Sequence, residues 1–109
     1  MPRFAANLAF LFTERPLLER VGAAAAAGFP AVELQLPYDH APSVIKAEID
    51  RHGVAMLGLN TALGREGETG LAAVPGREKD FADMFRQALD YATAIGGRAV
   101  HCLAGVVAP

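Results

Sequence analysis

The sequence has little that would tie it to nucleic acid, to a membrane or to an oxidising compartment. It holds one cysteine in 109 residues, and its formal net charge is −2. A single cysteine excludes an internal disulfide and is typical of a reducing compartment. No apolar run approaches the roughly 20 residues that span a bilayer, and the charge offers no basic footprint for nucleic acid. We therefore expect a cytoplasmic protein that binds neither a membrane nor nucleic acid.

Signatures for nucleotides, metals and export are also missing. No G-x-G-x-x-G or G-x-x-x-x-G-K-[ST] follows the first predicted strand, which weakens a dinucleotide or P-loop assignment. No His, Asp and Glu residues occur at metal-ligand spacing, and a catalytic divalent site needs three or more converging ligands. The apolar N-terminus, residues 1–12, is too short for a signal peptide and lacks its basic segment. We therefore predict no metal ligands here and no cofactor bound by this chain alone.

A helix–glycine–strand–polar-turn unit recurs along the chain, most clearly in GFPAVELQLPYDH at residues 28–40. Strands are predicted at 3–8, 31–36, 54–60 and 98–103. Helices are predicted from the Thr13–Pro16 region to Gly28, from Pro42 to His52 and from Arg77 to Ile95. The third helix has an apolar stripe at helical spacing, formed by Phe81, Phe85, Ala88, Leu89, Ala92 and Ile95. The order β-α-β-α-β-α-β implies parallel strands joined by right-handed crossovers.

Two architectures fit this order, half of a (β/α)₈ barrel and a small open sheet. In the second strand, Val32, Leu34 and Leu36 alternate with Glu33 and Gln35. A parallel sheet covered by helices on both faces would be apolar on both faces. A barrel turns one face of each strand toward a lumen whose upper layer can hold polar groups. The alternation therefore favours a barrel.

Four polar residues lie in or at the end of four different predicted strands: Asn7, Glu33, Asn60 and His101. The C-terminal ends of barrel strands converge on one mouth, where catalysis takes place in this fold. Glu33 suits a base or a metal ligand, His101 suits proton transfer, and Asn60 suits a hydroxyl or carbonyl oxygen. The alternative is that these groups cap strand ends and satisfy backbone groups.

The segment between the third strand and the third helix, residues 61–76, is long for such a connection and holds four glycines. It is either a lid, with Glu68 as the group that orders substrate, or a flexible surface loop. Cys102 has no cation nearby in sequence except Arg98. We predict that Cys102 is a buried strand residue facing the helices, not a nucleophile.

Several segments together resemble one family. They are RFAANLAFLF at 3–12, the 28–40 segment, Asn60 and GETGLAAVPGRE at 67–78. The chain resembles, in register and over its whole length, the N-terminal half of hydroxypyruvate isomerases, which are xylose-isomerase-like, AP-endonuclease-family-2-like TIM barrels. The resemblance implies an α/β fold in which residues 1–109 form a single partial domain, the N-terminal half of a TIM (β/α)₈ barrel.

The resemblance also implies an activity. It implies interconversion of hydroxypyruvate and 2-hydroxy-3-oxopropanoate through an enediol, with a carboxylate moving the proton, often beside Mg²⁺ or Mn²⁺. The family's catalytic glutamates and metal ligands lie on later strands, and a full barrel takes about 250 residues. We therefore expect no catalytic residue in this chain, which is expected to be inactive alone. The expected substrate-binding wall consists of Asn7, Glu33, Asn60, Glu68 and His101.

One departure leaves the substrate open. TALGRE at residues 61–66 is shorter than the family's usual segment. A related sugar epimerase or dehydratase is therefore an alternative, as is a non-catalytic half-barrel. Such a half-barrel would leave open, apolar edges on its first and fourth strands and could dimerise through them. Action on DNA is disfavoured by the negative charge.

Overall fold

The computed structural model describes residues 1–109, in which short parallel strands alternate with helices. The elements in chain order are β1 (Ala5–Asn7), α1 (Leu17–Ala26), β2 (Ala31–Glu33), α2 (Pro42–His52), β3 (Ala55–Met56), β4 (Gly58–Asn60), α3 (Glu78–Ile95) and β5 (Ala99–His101). Strands β1, β2 and β3 are neighbours in one ladder, and β4 pairs with β5 in another. The predicted α/β alternation is confirmed, with strands shorter than predicted.

The third predicted strand is divided into β3 and β4 by an irregularity at Leu57. Leu57 and Gly58 are both half-buried between fully buried neighbours, so two consecutive residues face the same side. The Leu57 carbonyl accepts hydrogen bonds from the N–H groups of both Arg98 (2.9 Å) and Ala99 (3.0 Å). This pattern is that of a bulge, which shifts the alternation by one residue. The Leu34 N–H still donates to the Gly58 carbonyl at 3.0 Å, so the two ladders form one continuous surface.

The three helices cover one face of this surface. Residues at the centres of the strands, such as Ala6, Val32 and Leu59, are buried, whereas their neighbours on either side are half-buried in β1, β2 and β4. The core comprises Ala6, Leu8, Val21, Ala24, Val32, Leu34, Ile45, Ile49, Val54, Met56, Leu59, Ala88, Tyr91, Ala92 and Ile95. The opposite face is therefore the concave one, as the alternation of β2 predicted. None of the helices is long and apolar enough to cross a membrane.

Three local predictions are wrong. The first helix, predicted to run from the Thr13–Pro16 region to Gly28, begins at Leu17 behind Pro16, without a side-chain cap, and ends at Ala26. In the third helix, Phe85 and Leu89 are partly exposed, and Tyr91 is buried in their place. Cys102 is exposed, because β5 is an edge strand and the residue directly follows it.

Candidate functional site

The concave face holds an open cavity of about 540 Å³ at the C-terminal ends of the strands. Four of the five predicted site residues line it: Asn7, Glu33, Asn60 and His101. Gln35 joins them, and Leu57 and Leu103 supply apolar side chains to the wall. The lining also includes Leu34 and Leu59, which are only 2% exposed and belong to the core. Small-molecule sites typically measure about 300 to 1,000 Å³ and combine apolar walls with a few polar groups. The size and lining of the cavity therefore suit a small polar ligand.

The sheet register places the four side chains in two adjacent pairs. Asn7 is the ladder partner of Glu33, and Asn60 is the partner of His101. Neighbouring strands lie about 4.8 Å apart, so each pair presents its groups side by side on one face. The β2 and β4 ends are joined because the Asn60 N–H donates to the Gln35 carbonyl at 3.0 Å. One row of polar groups therefore crosses all four strand ends.

These four side chains form few hydrogen bonds and ion pairs within the chain. Asn7 Oδ1 accepts the Ala9 N–H at 3.0 Å, which caps the strand end and leaves the amide nitrogen as a donor. Neither Glu33 nor His101 takes part in an ion pair. The cavity lining contains no lysine or arginine. The arrangement can therefore donate hydrogen bonds to carbonyl, carboxylate and hydroxyl oxygens of a ligand, and it can accept hydrogen bonds from ligand hydroxyls.

Glu68, the fifth predicted site residue, does not line this cavity. Its carboxylate pairs with the Arg77 guanidinium, with Oε2 2.5 Å from Nη1, and accepts the Arg65 N–H at 2.6 Å. The hydrogen bond from Arg77 is the main cause that lowers the pKa of the Glu68 carboxyl, followed by the bond from the Arg65 backbone. Both carboxylate oxygens of Glu68 are thus bound by neighbouring residues of the chain, and the side chain stabilises the loop.

The glycine-rich loop is pinned to the segment that follows β5. Gly70 forms an antiparallel bridge with Ala104, and the Ala72 N–H donates to the Leu103 carbonyl at 3.1 Å. Leu71 is only 2% exposed. Backbone contacts therefore hold the loop against the segment after β5, and neither predicted alternative, a lid or a flexible surface loop, included these contacts.

Two tyrosines that the sequence analysis did not assign to the site hold its strand ends together. The Tyr38 hydroxyl donates to the Asn60 carbonyl, and the Tyr91 hydroxyl lies 3.0 Å from the Pro37 carbonyl and 2.8 Å from that of His40. Their rings meet edge to face with centroids 5.4 Å apart. Burial, and secondarily the nearby Tyr91, raises the pKa of Tyr38 to about 12. Tyr91 belongs to the helical repeat of α3, which is the one sequence feature that could have pointed to it.

Thr61 fixes the other pair of strand ends. Its N–H donates to the His101 carbonyl at 2.9 Å, and its Oγ1 accepts the Leu103 N–H at 3.0 Å. Thr61 is completely buried, and a buried hydroxyl is expected to be hydrogen-bonded. It therefore sets the position of His101 relative to Asn60 without reaching the cavity.

Arg20 stabilises the loop that follows Asn7. Its guanidinium donates to three backbone carbonyls, those of Leu8 (2.8 Å), Arg15 (2.8 Å) and Thr13 (3.4 Å). This loop also contains Phe12, whose φ of 60° lies in the left-handed region that non-glycine residues seldom adopt. The Arg20 contacts hold this strained loop against the end of β1.

The side chains present do not complete a metal site. No group of three or more His, Cys, Asp or Glu side chains is placed to hold a metal ion. Glu33 and His101 both line the cavity, but they are two donors on different strands, whereas catalytic divalent sites use at least three protein ligands or a larger oxygen set. The Mg²⁺ or Mn²⁺ that the resemblance implies therefore does not fit these residues alone.

Comparison with known proteins gives close matches that are all longer than this chain. It is 47% identical over 109 residues to the 2-oxo-tetronate isomerase of Cupriavidus necator, covering 98% of this chain and 42% of that protein. It is 38% identical over 107 residues to the hydroxypyruvate isomerase of Escherichia coli K12, covering 96% and 42% respectively. The chain thus spans about two fifths of the length of these curated relatives.

A solved structure reproduces the fold. The crystal structure described as an AP endonuclease, family 2, from Brucella melitensis superposes with a TM-score of 0.94 at 44% identity. The match covers 97% of this chain and 42% of that one. A family model described as a xylose isomerase-like TIM barrel matches residues 21–109. This chain belongs to the xylose isomerase-like TIM barrel family.

Proposed function

We propose that this chain supplies the substrate-binding wall of an isomerase that acts on a short 2-oxo acid with a hydroxyl group on the neighbouring carbon. The observation that carries the proposal is the row of Asn7, Glu33, Asn60 and His101 across four strand ends of one cavity. In TIM-barrel enzymes the active site lies at this end of the strands. The names of the curated relatives, hydroxypyruvate isomerase and 2-oxo-tetronate isomerase, support the same reaction class.

The chemistry of such a substrate matches the groups on the wall. A proton moves from the hydroxyl-bearing carbon to the adjacent carbonyl carbon, and the hydroxyl proton moves to the former carbonyl oxygen. The reaction passes through an enediol, so atoms and charge balance without an oxidant or a reductant. Negative charge develops on the two substrate oxygens, where fixed donors stabilise it. We assign Asn7 and Asn60 as hydrogen-bond donors to these oxygens. Glu33 is assigned as the acceptor of a hydrogen bond from a substrate hydroxyl, and His101 as a donor to an oxygen or to the carboxylate.

No residue of the chain is assigned the proton transfer between carbons. Glu33 is assigned to substrate binding because the resemblance places the family's catalytic glutamates on later strands. A divalent metal, if the whole protein uses one, would stabilise the enediolate oxygens. The residues described here do not hold it alone, and no step is derived through it.

The substrate is chosen between two candidates of the same class. Hydroxypyruvate is the substrate that the sequence resemblance implies, whereas three relatives with 40–47% identity are named 2-oxo-tetronate isomerases. We therefore propose a 2-oxo acid, the class to which both candidate substrates belong. A DNA substrate, as in the name of the Brucella protein, is not favoured because the cavity lining contains no lysine or arginine to meet phosphates. The epimerase, dehydratase and dimeric half-barrel alternatives keep the same wall but predict no isomerisation of either acid.

A hybrid enzyme tests this proposal. Residues 1–109 replace the aligned first part of the Cupriavidus necator enzyme, with the parent enzyme as the control. We expect the hybrid to isomerise 2-oxo-tetronate or hydroxypyruvate with a kcat/KM within about tenfold of the parent, because the exchanged segments are 47% identical over 109 residues. The ratio of kcat/KM for the two acids identifies the substrate that this wall favours. A hybrid that unfolds cooperatively but isomerises neither acid would contradict the proposal.

A further inference from the structure

The Tyr38–Tyr91 pair links three separate parts of the fold at the cavity rim. Tyr38 lies in the turn after β2, Tyr91 in α3, and the acceptor Asn60 at the end of β4. The Tyr91 hydroxyl contacts carbonyls at both ends of the 37–40 turn, 51 and 54 residues away in sequence. A single helix residue thereby fixes the turn that carries Tyr38.

The Asn60 backbone is held on both sides. Its N–H donates to the Gln35 carbonyl at 3.0 Å, and its carbonyl accepts a hydrogen bond from the Tyr38 hydroxyl. With both backbone groups engaged, the Cα–Cβ direction of Asn60 is fixed relative to β2 and to its ladder partner His101. The side chain that lines the cavity therefore takes its direction from contacts outside the cavity.

The tyrosine pair itself is well supported. Tyr91 is 7% exposed, and its hydroxyl is satisfied by backbone carbonyls. The rings pack edge to face, a geometry worth more than the buried area alone. Neither tyrosine lines the cavity, so neither is placed to contact a substrate there.

We propose that Tyr38 and Tyr91 are positioning residues that set the orientation of Asn60 toward the substrate. This inference rests on the proposed function for its substrate, but its structural part concerns Asn60 alone. Removal of the Tyr38 hydroxyl frees the Asn60 carbonyl, and removal of the Tyr91 hydroxyl loosens the turn that presents Tyr38. In both cases the Asn60 side chain loses its fixed direction while the cavity keeps all its residues.

The test uses the 109-residue chain labelled with ¹⁵N and ¹³C, as wild type and as the variants Tyr38→Phe, Tyr91→Phe and Thr93→Val. Thr93→Val is the matched control, because the Thr93 hydroxyl donates only to the Leu89 carbonyl of the same helix, on an exposed surface. Two quantities are measured in the folded protein: the residual dipolar coupling of the Asn60 Cα–Cβ bond and the Kd for hydroxypyruvate from the shift of the Asn60 carboxamide signals. Unfolding is measured separately with urea.

We expect the coupling of a rigid Cα–Cβ bond in the wild type and in Thr93→Val, and reduced, averaged couplings in Tyr38→Phe and Tyr91→Phe. The Kd for hydroxypyruvate is expected to rise about fivefold or more in the two tyrosine variants, the effect of one lost hydrogen bond. A merely structural role would lower the urea midpoint while leaving both the couplings and the Kd of the folded protein unchanged, and that result would overturn the inference.

The two proposals fail separately. A wild type that binds neither hydroxypyruvate nor 2-oxo-tetronate counts against the proposed function, and the couplings alone then decide the positioning role. Averaged couplings in the tyrosine variants support the role in that case, and unchanged couplings refute it.

Discussion

Replacement of Gly70 by alanine is expected to lower the free energy of unfolding by about 2 to 5 kcal/mol. Gly70 has a φ of +113°, and a Cβ built there would lie 2.3 Å from the Leu103 carbonyl oxygen. A left-handed backbone costs a residue with a side chain about 1 to 2 kcal/mol, and overpacking adds about 1 to 3 kcal/mol. The neighbour cannot yield, because the Leu103 carbonyl also accepts the Ala72 N–H.

The same loop offers a matched control. Gly67 has a φ of +82°, but nothing lies within 4 Å of a Cβ built there. Gly67→Ala should therefore cost only the backbone contribution of about 1 to 2 kcal/mol. Urea unfolding of both variants gives the comparison, and hydrogen exchange at the Ala72 and Ala73 amides detects any loss confined to the loop. Equal stability and equal amide protection in the two variants would show that the loop is not pinned to the segment after β5.

Replacement of Glu33 by glutamine is expected to lower kcat/KM of the hybrid enzyme by about 10- to 150-fold. Glu33 lines the cavity without an ion-pair partner, so its charge is available to a substrate hydroxyl. A hydrogen bond to a charged group contributes about 1.5 to 3 kcal/mol, and each 1.4 kcal/mol changes a rate or binding constant tenfold. Glutamine keeps the shape of the side chain and removes the charge.

The control for Glu33 is Glu66→Gln. Glu66 is an exposed carboxylate of the 61–76 loop that forms no ion pair and does not line the cavity. The two variants make the same chemical change, and only one makes it on the proposed wall. We expect kcat/KM of Glu66→Gln to stay within twofold of the unchanged hybrid. A similar value for Glu33→Gln would remove Glu33 from the substrate wall.

The architecture could be predicted because its determinants are local. The alternation of Val32 and Leu34 with Glu33 and Gln35 distinguishes a concave face from a helix-covered face without knowledge of distant residues. Parallel strands then bring polar strand ends together by geometry alone. For this reason Asn7, Glu33, Asn60 and His101 could be grouped although up to 94 residues separate them.

What could not be predicted depends on contacts between distant or competing groups. Glu68 has Arg65 and Arg77 within reach, and only the folded loop shows that it uses the backbone of the first and the guanidinium of the second. The apolar stripe predicted for the third helix does not include Tyr91, whose acceptors lie in a turn more than 50 residues away in sequence. The bulge at Leu57 was hidden because Leu57 and Gly58 both suit the interior of a strand.

The most direct test of the substrate wall is a titration of the ¹⁵N-labelled chain with hydroxypyruvate and, separately, with 2-oxo-tetronate. The side-chain carboxamides of Asn7 and Asn60 and the imidazole of His101 report on the wall, and the exposed loop amide of Glu66 serves as the reference. We predict saturable shifts at all three side chains with a common Kd for at least one of the two acids, and no shift at Glu66. The absence of shifts at the three side chains with both acids, or shifts confined to the helix-covered face, would contradict the assignment of this face as the substrate wall.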